Sequence, residues 1–162
     1  MKILTSVLLI GCAFLFLHSC KEASKKTIKT TPIEFKKEGE LTITKQKIDT
    51  LITTFNIEFA ESDYETETGL MYRQGMAENE GMLFIFDDDR LHNFYMKNTE
   101  FSLDIIFIDK NMKIASFQEN AQPYSKTLLS SQVPIQYVLE VNAGLAEKWL
   151  LEIGDKIEFH KN

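Results

Sequence analysis

The chain has 162 residues, of which 44% are apolar and 12 are phenylalanine, and it carries a formal net charge of −6. Such a length and apolar share suit one domain with a substantial core. The acidic balance argues against nucleic acid, which demands a basic face, and against adsorption to anionic lipid by charge alone.

Residues 1–19 read as a lipoprotein signal peptide. Lys2 supplies a positive start, Ile3 to Leu17 is an uncharged run, and Ser19 places a small residue directly before Cys20. This is the layout of a secretory signal, and the run is short of the roughly 20 apolar residues of a membrane-spanning helix. The ending Leu17-His18-Ser19-Cys20 resembles the lipobox of bacterial lipoproteins, in which the cysteine becomes the lipidated first residue. A second candidate, Leu9-Ile10-Gly11-Cys12, would leave Ala13 to Leu17 exposed on the processed chain. Cys20 is the better choice. Only one of the 18 basic residues and none of the 24 acidic ones precedes Cys20, so the remaining 143 residues carry a formal charge near −7. Loss of Cys12 and acylation of Cys20 would leave no free thiol for disulfides, zinc or nucleophilic attack. The expected location is the bacterial cell envelope, on the extracytoplasmic side of a membrane.

Residues 20–32, rich in Lys, Thr and Ser, read as a flexible tether, and 33–162 as the folded domain. Ile33 and Phe35 alternate, Glu38-Gly39 suggests a turn, and Leu41 and Ile43 alternate back, which predicts a hairpin. Phe55, Ile57 and Phe59 predict a further strand. Ser62 and Glu65 form a capping box for a helix from Asp63 to about Tyr72. Met82 to Phe86 is a continuous apolar run, expected to be a strand buried on both faces and to end in a turn at Asp87-Asp88-Asp89. Strands follow at His92 to Lys97, Leu103 to Asp109 and Ile114 to Glu119, with a tight turn at Lys110-Asn111. Ala121 to Pro134 reads as a loop and Gln136 to Val141 as a strand. Asn142 is placed to cap a helix from Ala143 to about Leu150, and Gly154-Asp155 turns into a last strand, Lys156 to Phe159. Many short strands without βαβ alternation predict a mainly β fold: a single antiparallel sandwich or barrel-like domain with two short helices.

Five segments occur in order: Gly69-Leu70-Met71-Tyr72-Arg73, Gly81 to Phe86, Phe94-Tyr95-Met96-Lys97-Asn98-Thr99, Leu103 to Asp109, and Tyr137 to Gly144. Together they resemble the domain of unknown function family numbered 192, over roughly 57–157. The resemblance implies a compact, mainly β domain, often exported and sometimes lipid-anchored. It implies no established reaction, substrate or cofactor. Tyr95 stands where the family commonly has Trp, and Ser102 where it commonly has Pro.

The polar residues within these segments form the candidate site. Lys97 and Asp104 flank a short connection between strands and are expected to approach as an ion pair, with Asn98 and Thr99 between them and Tyr95 offering an aromatic face. Arg73 and Glu140 are candidates to join them. One reading is a cluster at the mouth of the domain that binds a small polar or anionic ligand. The structural alternative has Asn98 and Thr99 satisfying a turn, Asp104 capping a loop and Arg73 pairing with Glu140. An enzyme using Lys97 and Asp104, with Arg73 as an anion clamp, is a further alternative. No Gly-x-Ser-x-Gly elbow supplies a nucleophile. His92 beside Asp87-Asp88-Asp89 matches no metal signature and reads as an exposed residue next to an acidic turn. Met71, Met76, Met82, Met96 and Met112 raise a soft-metal chaperone, but their spacing is irregular and Met is an ordinary gap-filler in cores. No cofactor motif is present. The reading is a lipid-anchored envelope protein that binds a small ligand or another envelope component. Cys20→Ala is expected to abolish incorporation of a labelled fatty acid into the protein, and retention of the label by this variant would refute the lipidation site.

Overall fold

The computed structural model describes residues 32–162; the expected signal peptide, Cys20 and the expected tether up to residue 31 lie outside the described residues. A seven-stranded mixed sheet runs in the order β6-β5-β8-β3-β2-β1-β9, with β4 and β7 as a separate pair. Its strands are β1 (Gly39–Thr44), β2 (Leu51–Ala60), β3 (Glu80–Arg90), β4 (Asn93–Phe94), β5 (Leu103–Ile108), β6 (Ile114–Ala121), β7 (Leu129–Ser130), β8 (Ile135–Asn142) and β9 (Lys156–Lys161). Two short helices, α1 (Asp63–Thr68) and α2 (Leu145–Lys148), complete the described residues. The mainly β expectation holds.

Pairing is antiparallel in every ladder but one. β2 and β3 are parallel, with Glu58 beside Met82, because the connection between them (61–79) carries α1 over the sheet instead of turning back as a hairpin. The edge strands β6 and β9 meet at one bridge, Lys113 with Lys156, supported by the Ile157 amide donating to the Met112 carbonyl at 2.8 Å. A bridge is not a ladder, so the sheet curls on itself without closing as a barrel.

The central strands bury both faces, as the continuous apolar runs require. On the inside of the curl, Leu41, Ile43, Phe55, Ile57, Leu83, Ile106, Leu139 and Val141 form one core. α2 closes it with Leu145, and Trp149 stacks on Phe55 with centroids 5.3 Å apart. On the outside, Met82, Phe84, Ile105, Phe107 and Val138 form a second core beneath Leu70 and Met96 from the connections. Of the expected core residues, Phe84, Ile106 and Ile108 are fully enclosed, whereas Phe86 is half-buried.

Local signals resolve differently where tertiary partners compete. Ile33 and Phe35 form no strand; the segment is tied to β2 by the Lys36 amide donating to Glu58 Oε1 at 2.7 Å and the Glu38 amide to the Ile57 carbonyl. The Ser62–Glu65 capping box is present, but α1 stops at Thr68, where Gly69 takes a positive φ of 47°. A Cβ there would sit 2.9 Å from Phe84, so glycine serves both the backbone and the packing. Asp87, Asp88 and Asp89 do not end β3; they lie in an irregular stretch between Ile85, opposite Tyr137, and Arg90, opposite Ile135. The expected strand at His92 to Lys97 shrinks to β4, and the expected loop 121–134 contains its partner β7. Asn142 does not cap α2. Its side chain donates to the Met76 and Ala77 carbonyls at 2.9 and 3.1 Å, and Gly144 is the N-cap.

Truncating Ile106, fully buried in β5, to Ala is expected to cost about 2–5 kcal/mol in urea unfolding through lost burial and a residual cavity. A cost under about 0.5 kcal/mol would show this core to be misplaced.

Candidate functional site

Alternation along the strands separates the candidate residues. Asp104 pairs in register with Val141, and the next residue, Ile105, pairs with Glu140. Neighbouring strand residues point to opposite faces, so Asp104 enters the inner side with α2 and Glu140 the outer side with Met82. Lys97 is exposed and makes no ion pair with Asp104. Asp104, only 1% exposed, instead accepts from the Asn120 amide at Oδ1 and the Ala146 amide at Oδ2, each at 2.9 Å. The second bond satisfies a first-turn amide of α2, the capping role that the sequence suggested for Asn142.

Arg73 likewise does not pair with Glu140. Its Nη1 lies 2.6 Å from Glu58 Oε2, and both side chains are about 90% buried. The contact is close but poorly aligned, since Glu58 Oε2 and Arg73 Nε lack hydrogen-bond partners. Glu58 reads from its strand as a solvent-facing residue between Ile57 and Phe59, and no sequence signal marks its burial. The 61–79 crossover covers it.

Tyr95, Thr99 and Glu140 do come together, lining one cavity of about 290 Å³ on the outer face. Its walls are Phe84 and Phe86 from β3, His92 and Phe94 from the segment after β3, and Leu70 and Met71 from the segment after α1. Phe94 stands edge-on to Phe84, with centroids 5.3 Å apart, and to Phe86 at 6.2 Å. Backbone ties hold the wall: Met96 donates to the Ser125 carbonyl at 2.9 Å, and Tyr124 to the Thr99 carbonyl at 3.1 Å. Asn98 is a fastener at the edge. Its carbonyl accepts from the Tyr72 amide and its side-chain Nδ2 donates to the Tyr72 hydroxyl, both at 2.9 Å.

Two titratable groups in the cavity are perturbed. Glu140, 6% exposed, is pushed up to about 8 by burial, so its carboxyl is largely protonated at neutral pH. His92 is buried rather than exposed, and it lies over Phe86 with ring centroids 3.9 Å apart. Its pKa is lowered, first by burial and then by the Arg90 charge, although Asp88 opposes this. His92 Nε2 is 3.3 Å from Asp88 Oδ1 without hydrogen-bond alignment. Phe84, Phe86 and Phe94 escaped the sequence reading because an apolar run looks the same whether it fills a core or lines a cavity, and His92, read as exposed, is instead covered against Phe86.

Among the described residues, no three His, Cys, Asp or Glu side chains gather at a metal-sized site. Met82 and Met96 fill the outer core, while Met112 packs against the inner one. No helix among the described residues is long and apolar enough to cross a membrane.

Residues 43–159 match the family DUF192, described as "Uncharacterized ACR". A solved protein of unknown function from Novosphingobium aromaticivorans is similar, with 34% identity over 74% of this chain and 83% of its own, and a TM-score of 0.69. A putative transcription regulator from Sinorhizobium meliloti is 35% identical, over 78% of this chain and 98% of its own, with a TM-score of 0.71. No curated protein matches.

Glu140 makes stability depend on pH. The folded chain holds its proton up to about pH 8, whereas an unperturbed carboxyl releases it near 4.5, so the contribution of Glu140 to stability is complete below 4.5 and is lost as pH rises through 8. The loss is on the order of 4–5 kcal/mol. Glu140→Gln is expected to remove this component and to exceed wild type in stability above pH 8; an unchanged pH profile of urea unfolding would contradict the assignment.

Proposed function

From the premise that this chain belongs to the uncharacterised DUF192 family, we propose that it is a lipid-anchored envelope protein that binds a small ligand in the outer-face cavity. The observation that carries the binding reading is Glu140, a buried carboxyl without a hydrogen-bond partner among the described residues, in a cavity walled in part by Phe84, Phe86, Phe94 and Tyr95. Buried polar groups are ordinarily satisfied, and a perturbed carboxyl in a concave apolar site is the usual composition of a binding pocket. The anchoring reading rests on the Leu17-to-Cys20 ending and the polar segment behind it.

The enzyme alternative gains no support from the geometry. Arg73 is engaged by Glu58, Asp104 by two backbone amides, and the two residues line different cavities. An anionic ligand also loses its favoured partners, because neither Arg73 nor Lys97 lines the Glu140 cavity. The regulator label of the Sinorhizobium neighbour does not transfer: a formal charge of −6 disfavours nucleic acid.

Ligand-observed NMR with a panel of small amines, alcohols and carboxylates tests the cavity. Thr66 on α1 lines its mouth and is half-buried, so Thr66→Trp should fill the entrance while sparing the core. Compounds that bind wild type are expected to lose binding in this variant. Binding that is indifferent to Thr66→Trp, or an empty panel, would overturn the assignment.

A further inference from the structure

The charges and surfaces of the cavity select among ligand chemistries. Its two acidic lining residues are Glu140 at depth and Glu67, exposed on α1. The one basic lining residue, His92, is held towards its neutral form by burial. In register with Glu140, β3 presents Met82 and β5 presents Ile105, neither of them charged. The nearest ion pair on the same face, Glu58 with Arg73, lies beyond Met82 and is already matched. Asp88 and Arg90 engage each other at 2.7 Å, outside His92. The described residues therefore supply a carboxyl to this cavity and no cation to neutralise it.

Four of the other lining residues are aromatic. Phe84, Phe86, Phe94 and Tyr95 come from two different segments, and the rings of Phe84 and Phe86 each meet Phe94 nearly at right angles. Perpendicular rings around a carboxyl present π faces and one negative head, the composition that binds quaternary and alkylated ammonium groups. The uncharged polar side chains of the lining are Asn93, the Tyr95 hydroxyl and three threonines, Thr66, Thr68 and Thr99. A volume of about 290 Å³ accommodates a compact head group.

We infer that the cavity takes a small organic monocation, an alkylammonium or quaternary ammonium group, with Glu140 as its counter-ion and the four aromatic side chains as its enclosure. This rests on the cavity being a ligand site, as proposed above. Binding exchanges one positive charge for another: the Glu140 carboxyl releases its proton to solvent, and the cation takes its place beside the carboxylate. At neutral pH the proton must leave first, so affinity rises with pH and levels off near 8, where the empty site is already ionised.

Calorimetry with choline and its neutral isostere 3,3-dimethylbutanol, at several pH values, tests this on the soluble domain released from Cys20 by a signal-peptide exchange that leaves 21–162 intact. Choline is expected to bind, the isostere to bind at least tenfold more weakly, and choline affinity to rise about tenfold per pH unit between pH 6 and 7. Titrations in buffers of different ionisation enthalpy should count close to one proton released at pH 7. Glu140→Gln should remove the pH dependence and the preference for the cation, with its melting curve reporting that it is folded. If the isostere binds as tightly as choline, or choline binds more tightly as pH falls, the cation is refuted while the cavity remains a ligand site. If neither compound binds the folded wild type, the monocation assignment fails; the amine, alcohol and carboxylate panel then decides whether the cavity reading fails with it.

Discussion

The pairing of β3 with β8, from Gly81 opposite Val141 to Ile85 opposite Tyr137, is the contact on which the rest of the domain depends. Both strands are apolar on both sides, so neither face of the sheet centre can be left to water. The inner side is sealed when the sheet curls and α2 drops Leu145 into the opening. The outer side has only the two-stranded β4–β7 pair as a second sheet, too narrow to cover it. The connections 61–79 and 91–102 do so instead, pressing Leu70, Phe94 and Met96 onto Met82, Phe84 and Phe107. A cover made of loops is less continuous than one made of a sheet, and the cavity beside Glu140 is where it stays open.

Four buried acidic residues show how burial and satisfaction differ. Asp104 receives two backbone amides and holds β5 to the end of β6 and to α2. Asp155 accepts from the amides of Gln46 and Glu152 and from Lys45 Nζ at 3.0 Å, tying the β1–β2 turn to the chain before β9. Glu58 takes the Lys36 amide and the Arg73 guanidinium. Each of these resolves its desolvation within the fold, and removing a partner would leave a buried charge exposed to none. Glu140 has no such arrangement and remains neutral by keeping its proton. The first three carboxyls are structural for that reason, and the fourth carries the binding assignment.

Much of the fold was legible from period-two alternation and from turn chemistry. The apolar run at Met82–Phe86 reads as a strand buried on both faces and Leu103 to Asp109 as a strand, and the Ser62–Glu65 box marks the start of α1. The errors share a cause. Ile33 and Phe35 alternate like a strand, but β1 finds its partners in β2 and β9, leaving the earlier segment outside the sheet. Asn142 is a sound N-cap by type, yet carbonyls 65 and 66 residues away claim its side chain. Three consecutive aspartates look like a turn, although an irregular strand beyond the core edge carries them in solvent. In the site, Glu140 was legible only as a companion of Arg73 in the polar cluster, while proximity in sequence misled for Lys97 and Asp104, whose connection does not bring their heads together.

The sequence by itself determined where most of the long strands lie, where α1 begins, the acidic balance of the chain and the lipobox-like Leu17-to-Cys20 pattern, because each is read from composition or from neighbours a few residues apart. Tertiary structure decided the parallel β2–β3 pair, the exchange of expected partners among Arg73, Glu58, Asp104 and Glu140, and the gathering of Tyr95, Thr99 and Glu140 into one cavity. The reason is geometric. Alternation says that successive residues face opposite ways, but only the covering of each face by distant chain decides whether a carboxyl meets water, an amide, a guanidinium or an empty aromatic pocket.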